Sequence, residues 1–100
     1  SLVINIYEIT KGFPKDELYG LTQQMRRAAV SIPSNIAEGA ARNSVKEYAH
    51  FISIARGSLA ELETQYKIAQ MLEYCQESIL VSENINHLAR LLTGLYKKWS

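Results

Sequence analysis

Apolar residues recur along the chain at intervals of three and four, the period of an amphipathic helix, in four segments divided by Gly, Pro and short polar links. The first segment predicts a helix over Leu2–Lys11, with Leu2, Ile6, Ile9 and Phe13 on one stripe. Gly12 and Pro14 close it, because proline disfavours α geometry in the residue before it. The second predicts a helix over Asp16–Ala40. Asp16 and Glu17 place negative charge in its first turn, where the helix dipole favours it. Leu18, Leu21, Met25, Ala28, Ile32 and Ile36 form its buried stripe. Pro33 lies well inside this helix. It has no N–H to give the Ala29 carbonyl and its ring crowds that carbonyl, which predicts a kink, with Ser31, Ser34 or Asn35 satisfying the freed backbone groups.

The third helix has the clearest start. Ser44-Val45-Lys46-Glu47 reads as a capping box, in which the Ser44 hydroxyl accepts from the Glu47 N–H and the Glu47 carboxylate reaches back to the Ser44 N–H. The helix should run to about Leu72. Val45, Ile52, Leu59 and Tyr66 recur every seven residues, and Tyr48, Ala55, Leu62 and Ala69 complete the seam of an antiparallel bundle. A fourth helix is expected over Glu77–Lys98, with Val81, Ile85, Leu88, Leu92, Leu95 and Trp99 on its stripe and Lys97 and Lys98 at its negative end. The link around Tyr74-Cys75-Gln76 is short enough to make helices three and four antiparallel neighbours. The pattern therefore predicts an all-α, antiparallel up-and-down four-helix bundle kinked at Pro33.

Composition narrows this picture. One hundred residues make a single domain, 1–100. Hydrophobic residues at 47% supply a core, and 5 Gly with 2 Pro leave little material for the turns of an all-β fold. The single Cys75 excludes an intrachain disulfide framework and fits a reducing, cytoplasmic setting. No apolar run approaches the roughly 18 residues of a membrane span, and no signal peptide is visible, so no membrane partner is expected. The chain opens on Ser1, which suggests a trimmed N-terminus.

Candidate chemistry is sparse. The only Asp, Asp16, opens a helix; the two His, His50 and His87, and Cys75 stand far apart in sequence, so no catalytic relay is drawn. No CxxC, HExxH or Glu-x-x-His spacing suggests a metal, and no glycine-rich phosphate loop suggests a nucleotide cofactor. Glu83 and His87, four apart, read as a solvated pair. Gly57 beside Ser58 reads as a site of close helix packing or a notch for a neighbouring side chain. Neither enzyme activity nor a cofactor is expected.

Charge and the third helix carry what functional signal there is. The formal charge is only +1, which excludes an indiscriminate polycation. Within it, Arg26, Arg27, Arg42, Lys46 and Arg56 against Glu38 and Glu47 give residues 26–60 a charge of +3, between flanks of −1 each. These five cations are the candidate phosphate contacts. Two simpler readings compete: adjacent Arg26 and Arg27 diverge by roughly 100° on a helix, and Glu38 and Arg42 have the spacing of a local pair. On helix three, Phe51, Ile54, Ile68 and Leu72 widen the apolar arc beyond one bundle core, and the short first helix cannot cover its full length. They are the candidate oligomer interface.

The residues Ile6-Tyr7 to Phe13-Pro14, Gly20-Leu21-Thr22-Gln23-Gln24-Met25-Arg26-Arg27-Ala28-Ala29-Val30-Ser31-Ile32-Pro33-Ser34-Asn35-Ile36-Ala37-Glu38-Gly39, Glu47-Tyr48, Phe51, Ile54-Ala55-Arg56-Gly57-Ser58-Leu59 and Glu61-Leu62-Glu63-Thr64-Gln65 resemble a bacterial family of four-helix-bundle proteins named after the 23S ribosomal RNA intervening sequence. More distantly, the chain is similar to the accessory protein of diversity-generating retroelements, which works with a reverse transcriptase and nucleic acid. The resemblance implies a homopentamer and carries no catalytic residues. It also implies a longer first helix and, for the accessory proteins, a more basic surface than this one. Around Pro33, Arg27 or Arg56 is expected to pair with Glu38 and brace two helices. Two functions follow as expectations: a non-enzymatic oligomer associated with RNA or a nucleic-acid enzyme, or a structural protein-interaction scaffold with no nucleic-acid role.

Overall fold

A computed structural model describes residues 1–100 and contains helices α1 (Leu2–Thr10), α2 (Leu21–Ala40), α3 (Val45–Met71) and α4 (Ile79–Trp99), with a single 3-10 turn over Lys15–Glu17. Each helix packs on its sequence neighbour, and α4 closes the ring on α1. This is the antiparallel up-and-down four-helix bundle that the period predicts, drawn out to 43 × 24 × 18 Å.

Local chemistry explains most of the boundaries. Ser44 Oγ accepts from Glu47 N at 3.0 Å and Ser78 Oγ from Val81 N at 3.3 Å, so serine caps open both long C-terminal helices. Only half of the capping box forms, since no bond joins the Glu47 carboxylate to the Ser44 N–H. Helix α3 ends with Glu73 at φ 63°, its N–H bonded to Gln70 O and that of Tyr74 to Ala69 O. This is a Schellman motif built on a non-glycine residue.

Two boundaries differ from the sequence reading. Helix α4 begins at Ile79 rather than Glu77, where Ser78 caps it and the Ser78 N–H donates to Tyr66 Oη at 2.6 Å. Helix α2 begins at Leu21 rather than Asp16. Pro14 starts a separate 3-10 turn, and Glu17 reaches from it to accept the Leu21 N–H at 3.1 Å. Glu17 thus caps α2 from outside instead of occupying its first turn. Leu18 consequently lies off the α2 stripe and is exposed, while Met25, Ala28 and Ile32 are buried as the spacing requires. Helical backbone continues on both sides of Pro33, and Asn35 Nδ2 donates to Ser31 O at 2.8 Å.

The core joins Leu2, Ile6, Phe13, Met25, Ile32, Ile52, Leu59, Leu62, Tyr66, Val81, Ile85 and Leu92. The heptad seam of α3 is buried from Ile52 to Ala69, but Val45 at its first turn is exposed. The close-packing glycine is Gly39, not Gly57. A Cβ on Gly39 would lie 2.9 Å from Phe51 Cβ and 3.3 Å from Tyr48 O, whereas one on Gly57 would meet nothing within 4 Å.

Candidate nucleic-acid interface

The bundle has two unlike ends. At one, the elbow between α1 and α2 meets the α3–α4 link. Tyr74 Oη donates to Glu17 Oε2 at 2.7 Å, and the Phe13 and Tyr74 rings lie 5.4 Å apart. The hydroxyl, and secondarily the Leu21 N–H, holds the Glu17 carboxyl below its ordinary value; Glu17 in turn raises the Tyr74 hydroxyl. At the other end, the α2–α3 turn meets the last turns of α4, with Tyr48 and Trp99 edge to face at 6.1 Å.

This second end gathers cations around aromatic rings. Arg42 comes from the turn, Lys46 from the first turn of α3, Arg56 from nearer the middle of α3 on the side that meets Tyr96 of α4, and Lys97 and Lys98 from the end of α4. The Arg42 guanidinium lies 5.0 Å over Phe51, Arg56 4.8 Å over Tyr96, and Lys98 Nζ 5.1 Å over Trp99. Two shallow grooves open between them. Arg42, Ser44, Tyr48 and Trp99 line one of about 460 Å³, and Lys46, His50, Tyr96 and Trp99 line the other, of about 590 Å³. Glu38 and Glu47 flank the α2–α3 turn at the same end. Cations interleaved with aromatic faces offer phosphates a counter-charge and bases a stacking platform.

Of the five candidate cations, the fold brings Arg42, Lys46 and Arg56 to this half and leaves Arg26 and Arg27 on the other. Arg26 is committed within the chain: its Nε donates to Thr10 Oγ1 at 2.9 Å and its guanidinium sits 4.7 Å over Tyr7. Glu38 pairs with Arg42 one turn on, not with Arg27 or Arg56, and both side chains of that pair are exposed. The expected brace near Pro33 is therefore absent. Arg56 cannot reach Glu38 because it lies on the α4 side of α3, over Tyr96. Trp99, which the α4 stripe predicts as core, lines both grooves, with Lys98 over its ring and Lys97 in the same last turn of α4. Their distance from Arg42 in sequence hides a proximity that antiparallel packing creates.

The four candidate interface residues also divide. Phe51 is half-buried within the chain, against Gly39 and under Arg42. Ile54, Ile68 and Leu72 lie on the surface. Ile68 and Leu72 lie toward the elbow end, where Leu18, Tyr19, Met71, Ile79 and Leu80 are exposed as well, Tyr19 at 85% and Met71 at 80%. Burial raises the Cys75 thiol above its ordinary value, which disfavours the reactive thiolate. No three His, Cys, Asp or Glu side chains come together as a metal site, and no helix is long and apolar enough to cross a membrane.

The fold is that of a small four-helix-bundle protein. The chain belongs to the family of 23S rRNA-intervening sequence proteins, whose family model matches residues 1–94. A search of curated proteins finds no match to it.

Proposed function

We propose that this protein is a non-enzymatic, cytoplasmic homo-oligomer, pentameric as its family resemblance implies, that acts as an RNA-associated binding or accessory protein. The observation that carries this reading is that Arg42 and Lys46 line grooves with Tyr48, His50, Tyr96 and Trp99, while Arg56 lies over Tyr96 and Lys98 over Trp99. A net charge of +1 is too small for nonspecific coating, but assembly repeats the basic end once per subunit. Mobility shifts with single-stranded RNA at low and moderate salt test the reading. Binding should weaken steeply as salt rises, because phosphate neutralisation releases counterions. Lys97→Ala with Lys98→Ala should weaken it further, and a lack of binding at low salt would exclude the phosphate-contact mechanism.

The exposed apolar surface at the elbow end favours a second reading, a protein-interaction scaffold without nucleic acid. Sedimentation bears on both: a monomer at micromolar concentration would count against either as stated.

A further inference from the structure

On the α1–α2 side of the elbow end lies a shallow groove of about 600 Å³. Tyr7, Leu18, Tyr19 and Val30 line it, and all four are exposed. Arg26 and Arg27 supply its charge, and the neighbouring acids Glu8, Asp16 and Glu17 do not line it. Part of the wall is already ordered. Arg26 Nε donates to Thr10 Oγ1 at 2.9 Å, and its guanidinium lies 4.7 Å over the Tyr7 ring. A partner docking there immobilises few further side chains. Tyrosine and arginine, without lysine, around apolar contacts is the composition of an interface centre.

A second surface at the same end has the matching character. Residues 68–80 run from the last turn of α3 through the link to the first turn of α4, and leave Ile68, Met71, Leu72, Ile79 and Leu80 exposed. This segment carries Glu73 and Glu77 and no cation. Neither glutamate and neither groove arginine has an ionic partner within the chain, whose ion pair is Arg42–Glu38. Helix α1 packs on α2 and α4, and α3 packs on the same two, so the α1–α2 and α3–α4 pairs form opposite sides of the bundle. A folded chain cannot bring its own groove onto its own segment. Leu18 and Val30 offer nothing to a phosphate, and the acidic segment repels one, so a protein surface suits both better than RNA does.

We propose that these surfaces are the two halves of one self-association contact, in which the α1–α2 groove of one copy receives residues 68–80 of the next. Arg27 then faces Glu73 and Glu77, and the apolar side chains pack between them. Because the halves differ, the contact is head-to-tail, and each pair keeps a free groove and a free segment for further copies. The contact rests on the homo-oligomer proposed above and is independent of RNA.

Sedimentation velocity of the full chain at micromolar concentration tests it. The groove variant carries Tyr19→Ser with Arg27→Glu, and the segment variant Met71→Ser with Ile79→Ser, all at exposed positions. The natural chain should sediment as an oligomer, and each variant, still helical by circular dichroism, as a monomer. An equimolar mixture of the two variants restores one intact contact and should give a species of two subunits and nothing larger. A monomeric natural chain would overturn both the contact and the oligomer above. With an oligomeric natural chain, the contact alone is overturned by variants that stay oligomeric, by a mixture that stays monomeric, or by a groove variant that keeps its assembly but loses single-stranded RNA.

Discussion

The half of the bundle that holds α1 and the half that lacks it solve the same packing problem differently. Around α1, four helices enclose Leu2, Ile6, Met25, Leu62, Tyr66, Val81 and Ile85, and the elbow is held by the Glu17–Tyr74 bond. Beyond the N-terminus of α1, only α2, α3 and α4 remain, with Ile52, Ala55 and Leu92 as the fully enclosed side chains. There Tyr48, Phe51 and Tyr96 form a half-buried shell, with Arg42 over Phe51 and Arg56 over Tyr96. Within residues 1–100, α1 spans nine residues and α3 spans 27.

Core truncations test this contrast most strongly. Leu62 and Leu92 are both fully buried, the first among four helices and the second among three. Leu62→Ala should cost about 3–5 kcal/mol and Leu92→Ala about 2–3 kcal/mol, because the open half can relax around its cavity. Equal costs in chemical denaturation would remove the distinction. The glycines sharpen it next. Gly39→Ala pushes a methyl into Phe51 and the Tyr48 carbonyl and should destabilise by about 1–3 kcal/mol. Gly57→Ala enters open space in a helix interior and should stabilise by about 0.5–1 kcal/mol. A thermal melt of each variant checks both signs.

The elbow clamp should be visible in pH dependence. Glu17 is held below its ordinary value near 4.5, so the stabilisation it supplies is present above that pH and is lost as pH falls through the lower folded value. Tyr74 is held above its ordinary value near 10.0, so its share is present below that pH and fades as pH rises through the raised value. The difference in melting temperature between the natural protein and Glu17→Gln should therefore be widest between these limits and shrink toward either. A difference constant from pH 7 down to about pH 2 would show that the carboxylate is not what holds the elbow. The smallest effect belongs to the open half: Glu38→Ala breaks an exposed pair four residues apart and should cost no more than about 0.5 kcal/mol. A larger loss on melting would mean that Glu38 has a partner beyond Arg42.

Helix content, chain direction and most of the buried stripe were legible because each depends on residues within a turn or two of one another. Ser44 caps α3 in both readings, and Ile52, Leu59, Leu62 and Tyr66 are buried where the seven-residue repeat puts them. The start of α2 was not legible, since Glu17 caps from a separate turn and is itself held by Tyr74, 57 positions away. The candidate surface was legible in part. Arg42, Lys46 and Arg56 stood out as charge, but Lys97, Lys98 and Trp99 could be added only once α4 was laid beside α3.

By itself the sequence determined four amphipathic helices, their antiparallel order and the absence of a recognisable catalytic motif, because periodicity and capping act locally. Tertiary structure alone decided which cations face one another and which glycine is crowded. Those properties depend on distances between helices, and no spacing along one chain encodes them directly.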